Sequence, residues 1–206
     1  MEMNPMNQLS YGLFVLTANA GGKDNGCIIN TVGQVTAAPN RITIAVNKAN
    51  HTHDMLMQNN AFTVSVISEK ADFSLFKRFG FASGRDTDKF ADYSATKRTG
   101  NGTLAVLEGT NAYISAKVFH SIDLGTHTLF IAEVVEAESL SDTPSATYAY
   151  YHKSIKPQPE KVGETPTGQT IWRCVICGYE YVGDELPEDF VCPLCKHPAS
   201  DFEKVT

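Results

Sequence analysis

The sequence predicts a mainly β protein, in which a small β-barrel with short helices is followed by a very small metal-binding domain. Three observations support this fold class. Short segments in which apolar and polar residues alternate recur along the first three quarters of the chain, and such alternation is typical of strands. Four of the five cysteines lie close together near the C-terminus. The length of 206 residues also exceeds that of a typical single domain, which favours one large domain and one very small one.

The alternating segments define most of the large domain. A glycine-containing turn at 21–26 joins the first two strands into a hairpin, and Gly125 separates the last two. Many strands accompanied by few helices favour closure into a small barrel. The predicted strands are 12–17, 27–32, 41–46, 62–67, 113–124 and 127–137, and the predicted helices are about 52–59 and 72–79.

A proline-rich segment marks the boundary between the two domains. Residues 157–169 contain three prolines and two glycines and almost no apolar side chains, which is typical of a partly stiffened linker. The alternative, an ordinary surface loop, is less favoured because a cysteine-rich domain follows. We therefore predict domains at 1–156 and 170–206, joined by this linker.

The C-terminal segment is strongly acidic. Residues 157–206 hold nine acidic and four basic side chains, so this segment carries −5 of the formal charge of −6. An acidic domain repels nucleic acid and suits a basic protein partner. The N-terminus lacks a basic start followed by an apolar stretch, and no apolar run approaches the length of a transmembrane helix. Five cysteines without a signal peptide also indicate a reducing compartment. Together these features predict a cytoplasmic protein that binds neither nucleic acid nor a membrane.

The cysteine pairs predict a metal site. Cys174 and Cys177 form one Cys-x-x-Cys pair, Cys192 and Cys195 form another, and fourteen residues separate the pairs. Two such turns that face each other give a four-thiolate site suited to zinc or iron, and the alternative is two pairs of buried cysteines or disulfides. Only Cys27 lies outside the cluster, which argues against a chance repetition of the motif. Flanking aromatic residues favour iron, because an aromatic shell excludes water and burial tunes an iron centre. These residues are Trp172, Tyr179, Phe190 and Phe202.

Three polar segments suggest a site for an anionic cofactor. Residues 47–52 combine a lysine, a hydroxyl and the start of a predicted helix, which together can hold a phosphate; the alternative is a plain helix cap made by Asn50 or Thr52. Residues 83–90 place two cations in a glycine-containing loop, which is otherwise an ordinary solvated loop. Residues 30–36 join polar side chains to flexible backbone, where they either line the polar edge of a ring or form a simple loop.

A dinucleotide fingerprint is rejected. Residues 100–105 match Gly-x-Gly-x-x-Ala, but they follow the polar run 94–98 rather than a buried strand. The βαβ setting that this motif needs is therefore absent. A nicotinamide donor, if one binds, does so without a Rossmann domain.

Two parts of the sequence resemble known families. The strings WRCVICGYEY and LPEDFVCPLC resemble rubredoxin over residues 172–204. The strings NGCIINTVGQVT, NKANHTHD, SGRDTDKF and LGTHTLFIAEV resemble the flavin reductase family, whose members have an FMN-binding split β-barrel. Over essentially its whole length the chain resembles the high-molecular-weight rubredoxins, in which such a barrel precedes a rubredoxin.

The resemblance implies a set of residues for each cofactor. The iron ligands would be Cys174, Cys177, Cys192 and Cys195, with zinc as the alternative metal. The border of the isoalloxazine ring would be formed by Asn30, Thr31, Val32, Gln34 and Thr36. The phosphate of FMN would be held by Asn47, Lys48, His51, Thr52, Ser83, Arg85 and Lys89. His127 would face the flavin near the nicotinamide position, although a lone histidine on a strand is otherwise more often structural.

The two families together imply an oxidoreductase. A nicotinamide donor gives up two electrons at once, one iron accepts a single electron, and FMN can take the pair and release the electrons one at a time. We therefore expect electrons to pass from NAD(P)H through FMN to the iron, and on to a partner such as a flavodiiron oxygen or nitric oxide reductase. No side chain is expected to act as acid, base or nucleophile. The resemblance also implies a homodimer.

Two alternatives stay open on the sequence. One is an NAD(P)H:FMN reductase whose metal domain is a structural zinc ribbon. The other is a non-catalytic electron carrier that a separate reductase loads.

Overall fold

The computed structural model describes residues 5–157, 170–175, 178–193 and 197–205. The chain divides into two compact units, Met1–Ile155 and Lys156–Thr206. Most of the predicted linker, residues 158–169, lies outside the described residues. The linker and the bounds of the two domains therefore stay predictions.

Strands dominate the first unit, and the predicted mainly β class is confirmed. In chain order its elements are β1 (Phe14–Ala20), β2 (Lys23–Ile29), β3 (Val32–Ala37), β4 (Asn40–Asn47), α1 (His51–Asn59), β5 (Ala61–Ile67), α2 (Phe73–Phe76) with a π-helical continuation (Lys77–Phe81), β6 (Thr96–Arg98), β7 (Leu104–Val106), β8 (Thr110–Asp123), β9 (His127–Ser139) and α3 (Tyr148–Tyr150) with a π-helical continuation (Tyr151–Ile155). A short 3₁₀ helix, Pro5–Gln8, precedes them. Seven strands form one antiparallel sheet in the order β2-β1-β5-β8-β9-β4-β3, and β6 pairs with β7 as a separate hairpin.

The core lies on both sides of the middle of the sheet. Strand β1 is buried on both faces, because α1 packs on one face and β7 contacts the other. Leu16 belongs to the apolar cluster that contains Leu56 of α1, whereas Val15 belongs to the cluster that contains Val106 of β7. These burials supply the main stabilising term, at roughly 25 cal/mol for each Å² of apolar surface removed from water.

Three strands that the structure describes in the first unit were not predicted from the sequence. Strand β3 (Val32–Ala37) covers most of residues 30–36, where the sequence suggested either the border of a ring or a simple loop, and residues 33–37 are exposed. An edge strand exposed on both faces has no apolar alternation to reveal it. Strands β6 and β7 are three residues each. The rejected fingerprint at 100–105 lies at the turn of their hairpin, which confirms that it is not part of a βαβ unit.

The end of β8 extends beyond its neighbour β5. The β5 pairing ends at Lys117, whereas the β9 pairing continues to Asp123. Within the described residues, no strand pairs with the outer edge of 119–123. Phe119 and Ile122 are exposed on this segment.

The second unit contains a three-stranded sheet. Its strands are β10 (Ile171–Cys174), β11 (Glu180–Val182) and β12 (Phe202–Lys204), in the antiparallel order β11-β10-β12. The indole Nε1 of Trp172 donates a hydrogen bond to the carbonyl of Gly183. In the part of the chain that the structure describes, no helix has both the length and the apolar character needed to cross a membrane.

Candidate functional site

The start of helix α1 is suited to an anion. Asn50 occupies the N-cap position with extended backbone, φ −72° and ψ 131°, but its side chain makes no capping hydrogen bond. The hydroxyl of Thr52 is buried and accepts a hydrogen bond from Nδ2 of Asn25 at 3.0 Å. Asn50 therefore stands at the cap position, as the alternative expected, but its side chain does not bond the helix N–H groups, and the hydroxyl of Thr52 bonds Asn25. The first N–H groups of the helix lack a side-chain cap, and the helix dipole favours negative charge beside them.

The loop that follows the π-helical continuation of α2, residues 82–91, lies against this helix start. Nη2 of Arg85 donates to Oδ2 of Asp54 at 2.9 Å, and the backbone N–H of Arg85 donates to Oγ of Ser83 at 3.2 Å. Burial alone would raise the pKa of Asp54, but the hydrogen bond and the charge of Arg85 outweigh it and hold the pKa below its ordinary value. The loop and the helix enclose a cleft of about 390 Å³ whose lining includes His51, Met55 and Arg85.

Lys48 and His127 meet at the same end of the sheet. Asn47, the last residue of β4, pairs with His127, the first residue of β9. Nζ of Lys48 lies 2.6 Å from Oδ1 of Asp123, and this cation lowers the pKa of the Asp123 carboxyl. Nδ1 of His127 lies 2.9 Å from the hydroxyl of Thr126. The turn between β8 and β9 therefore places Lys48 and His127 together at the end of β4 that leads into α1.

Lys89 differs from the other predicted cations. Its side chain is 4% exposed, and Nζ donates to the carbonyls of Gly26 at 2.8 Å and Phe79 at 3.3 Å. Burial holds the pKa of Lys89 below its ordinary value, and the nearby Cys27 offsets this effect only in part. The Lys89 ammonium thus links the loop at 82–91 to β2 through the carbonyl of Gly26. Its role as a phosphate ligand stays a prediction.

The predicted ring-border residues are spread along β3 and the segment before it. Asn30, Thr31 and Val32 are half-buried, and Oγ1 of Thr31 donates to the carbonyl of Ala45 at 2.6 Å. Gln34 and Thr36 are exposed. At the β3–β4 turn, the side chain of Gln34 donates a hydrogen bond to Oδ1 of Asn40, and that of Thr36 donates one to the carbonyl of Pro39. Thr36 lies opposite Arg41, at the other end of β4 from Asn47 and roughly 20 Å from it at strand spacing. The structure brings Thr31 and Val32 nearer to the helix start than it brings Gln34 and Thr36.

Two residues of this site were not predicted from the sequence. Asn25 lies in β2 beneath the loop, and Asp54 lies in the first turn of α1. Asp54 belongs to the quoted string NKANHTHD, but an acidic residue in a first helical turn is usual and gives no specific signal. Asn25 stands among turn residues, where asparagine is common.

The described part of the second unit has two features that a buried thiolate site would need. Cys174 and Cys192 are both fully buried. The backbone N–H of Gly178 donates to the carbonyl of Cys174 at 2.8 Å, and Gly178 has φ +74°, a conformation that favours glycine. The N–H of Cys192 donates to the carbonyl of His197 at 2.8 Å.

Aromatic rings pack within the same unit. Phe190 and Phe202 lie 5.3 Å apart, and Tyr179 lies 6.5 Å from Phe202. Cys177 and Cys195 lie outside the described residues, so the four-cysteine set stays a prediction. Two buried cysteines in a unit that contains an aromatic cluster agree with the dry, soft donor set that iron prefers.

Two family models match the chain. The model described as "Flavin reductase like domain" matches residues 6–158, and that described as "Rubrerythrin, rubredoxin-like domain" matches residues 172–203. The chain is 34% identical to the high molecular weight rubredoxin of Moorella thermoacetica, with both chains covered completely. It is 37% identical to the ferric-chelate reductase (NAD(P)H) of Archaeoglobus fulgidus, over 84% of this chain and 98% of the relative.

A solved structure supports the fold. The NADH:FAD oxidoreductase SgcE6 of Streptomyces globisporus C-1027 superposes with a TM-score of 0.60 at 21% identity, over 68% of this chain and 81% of that one. At this identity the likeness shows the fold alone. The predicted fold class is thereby confirmed for the flavin reductase-like part.

Proposed function

We propose a function for a chain that belongs to the flavin reductase-like family and carries a rubredoxin-like domain at its C-terminal end. It is an oxidoreductase that takes electrons from NAD(P)H through FMN to an iron bound by four cysteines. From the iron the electrons pass to a partner redox protein. The names of two relatives, a high molecular weight rubredoxin and an NAD(P)H-dependent ferric-chelate reductase, support this assignment.

One observation carries the placement of FMN. The N-terminal turn of α1 has no side-chain cap, and the guanidinium of Arg85 is held beside it by Asp54. Helix N–H groups and a guanidinium together are a strong combination for a phosphate. We assign the FMN phosphate to this position, with His51 and Ser83 beside it. The remaining predicted phosphate residues, Asn47, Lys48, Thr52 and Lys89, complete the set.

The flavin ring and the donor are assigned to the sheet edge next to the helix. Asn30, Thr31 and Val32 border the ring, and Gln34 and Thr36 continue this border along β3. His127 lies beside the ring, where a nicotinamide would approach. Bound FMN supplies the conversion between a two-electron donor and a one-electron acceptor. The side chains bind and orient the cofactor, and none needs to transfer a proton.

The second unit is assigned one iron ion. Cys174 and Cys192 are buried in the structure, and Cys177 and Cys195 complete the proposed ligand set. The aromatic residues Tyr179, Phe190 and Phe202 exclude water from the thiolates, which makes a defined reduction potential possible.

The partner, the assembly and the location belong to the same proposal. The acidic charge of 157–206 suits a basic docking surface on an acceptor such as a flavodiiron protein. The protein works as a homodimer in the cytoplasm. It has no nucleic-acid or membrane partner.

Anaerobic stopped-flow mixing tests the proposed electron path. The purified full-length protein, loaded with FMN and iron, is mixed with NADH or NADPH, and flavin bleaching and loss of the ferric thiolate colour are followed separately. We expect flavin reduction first and iron reduction afterwards. A colourless metal domain would instead favour the reductase with a zinc ribbon, and slow flavin bleaching with both donors would favour the non-catalytic carrier.

Cys192→Ser separates the two halves of the path. The variant should lose iron reduction but keep hydride transfer to flavin nearly unchanged, because Cys192 belongs to the second unit only. Cys27→Ser, which changes a cysteine of the first unit, is the matched control and should keep iron reduction. Loss of both reactions in Cys192→Ser would mean that the two units do not act separately.

A further inference from the structure

We propose that Asp54 is a positioning residue for the phosphate site: it holds Arg85 over the start of α1, so that the guanidinium and the helix N–H groups face one anion. This inference rests on the proposed function, because the anion is the phosphate of FMN. Asp54 does not touch the phosphate in this scheme, and it acts through Arg85.

The contacts of Asp54 single it out. Its Oδ2 accepts from Nη2 of Arg85 at 2.9 Å and lies 3.9 Å from Nδ1 of His51, and its Oδ1 lies 3.6 Å from Nδ1 of His53. One carboxylate therefore faces three side chains that carry or can carry positive charge. Two of them, Arg85 and His51, belong to the phosphate set predicted from the sequence, and both line the cleft beside the helix.

The loop that carries Arg85 is seated by a second contact. A Cβ atom at Gly84 would overlap the side-chain amide of Asn25, so any other residue at this position would force the loop or Asn25 to move. Asn25 is 4% exposed, and its Nδ2 donates to the hydroxyl of Thr52 in α1. Asn25 thus supports the loop backbone and the helix start at the same time, whereas Asp54 sets the direction of the arginine side chain.

Arg85 needs such a partner because its side chain is half exposed. A long, exposed arginine has many rotamers, and an arginine that is already oriented loses less freedom when it binds a phosphate. A guanidinium carries five N–H donors, and within the described residues Asp54 uses one nitrogen, Nη2, so the other nitrogens can reach an anion. The carboxylate also repels a phosphate, but its charge is largely neutralised by the guanidinium at 2.9 Å and screened by solvent. We therefore expect the orienting effect to exceed the repulsion.

The test compares FMN with riboflavin, which has the same ring but no phosphate. Flavin-free full-length protein is titrated with each, following the quenching of flavin fluorescence. Asp54→Asn should raise the Kd for FMN about tenfold and leave the Kd for riboflavin unchanged. Asp54→Glu should recover part of the affinity for FMN. Asp86→Asn, which removes the same charge from an exposed position on the same cleft, should not weaken FMN binding.

A double variant tests whether Asp54 acts through Arg85. Arg85→Gln alone should weaken FMN binding at least as much as Asp54→Asn. Adding Asp54→Asn to Arg85→Gln should cause no further loss, and should give a small gain, because only the repulsion of the carboxylate remains to be removed. A loss in the double variant equal to the product of the two single losses would overturn the proposal.

Two other outcomes also count against it. If Asp54→Asn binds FMN as the wild type does, Asp54 has no positioning role, although the phosphate site stands provided that Arg85→Gln weakens FMN binding. If the wild type binds riboflavin as tightly as FMN, the phosphate site itself is misplaced, and this part of the proposed function fails with it. Unchanged riboflavin binding in each variant shows that the variant is folded.

Discussion

Tyr93 lies two residues beyond the loop that carries Arg85, with its ring edge-on to Phe79 at 5.6 Å and beneath the guanidinium of Arg78 at 5.1 Å. Burial raises the pKa of Tyr93 to about 12, and the negative charge of Glu108 adds to the effect. The neutral phenol is therefore favoured in the folded state. Because the folded pKa is raised, its contribution to stability is fully present below the unfolded pKa of about 10 and is lost as pH rises from there through about 12.

Tyr93→Phe should remove this alkaline sensitivity. Between pH 9 and pH 11.5 the variant should lose about 1 kcal/mol less unfolding free energy than the wild type, a value reduced for screening at a half-exposed site. Urea unfolding at the two pH values measures the difference. Tyr148→Phe, at an exposed position, is the control and should behave as the wild type does. Equal alkaline losses in wild type and Tyr93→Phe would contradict the prediction.

Asn101, at the turn of the hairpin of β6 and β7, bonds both the hairpin and the sheet. Nδ2 of Asn101 donates to the carbonyls of Phe62 at 2.9 Å and Ala116 at 3.1 Å, in β5 and β8. Oδ1 of Asn101 accepts from the backbone N–H of Thr103 at 3.0 Å and from the hydroxyls of Thr99 and Thr103. A single amide thus bonds groups of the hairpin and of the sheet at the same time.

Asn101→Ala should therefore cost about 2–4 kcal/mol of unfolding free energy, because several hydrogen bonds of one network are lost together. Urea unfolding measures the loss. Asn59→Ala is the matched control: its Nδ2 makes one exposed bond, to the carbonyl of Asn19, and its loss should stay below about 1 kcal/mol. Similar losses in the two variants would show that the network adds nothing to stability.

The sequence predicted the strands in which apolar and polar residues alternate over five or more positions. Strands β4, β5, β8 and β9 carry an apolar residue at every second position along much of their length, which the alternation revealed. Strand β3 was not predicted because it is an exposed edge strand without apolar alternation. Strands β6 and β7 were not predicted because three residues are too few to show a period.

Within the candidate site, the residues that could be grouped from the sequence are those that lie close together along the chain. Lys48, His51 and Thr52 follow one strand directly, so their grouping was predictable. The contact of Asp54 with Arg85 spans 31 positions and that of Asn25 with Thr52 spans 27. Such contacts depend on how the loop folds back on the helix, and no local pattern encodes that. The burial of Lys89 was missed for the same reason, because a lysine in a charged loop is usually solvated.

At the scale of the whole molecule, the first unit contains a complete core. Both apolar clusters lie between Leu13 and Ile155. The isolated bridge between Gly12 and Thr147 closes the two ends of this unit on each other. The unit therefore has the features of a domain that folds alone.

A chain that ends after Pro157 should fold cooperatively and bind FMN as the full-length protein does. Urea unfolding followed by circular dichroism, together with an FMN titration, measures both properties. Full-length protein treated in parallel is the control. A truncated chain that folds but no longer binds FMN would show that the flavin site needs residues of the C-terminal unit.

The unpaired outer edge of β8 at 119–123 also determines how this segment meets water. In a single subunit, every second amide there points away from β9 and should exchange its hydrogen for deuterium rapidly, while the amides bonded to β9 exchange slowly. A second subunit that covered the edge would slow the fast set alone. Deuterium uptake by this one peptide, followed as the protein is diluted, would thus report self-association without an attached dye or a mutation.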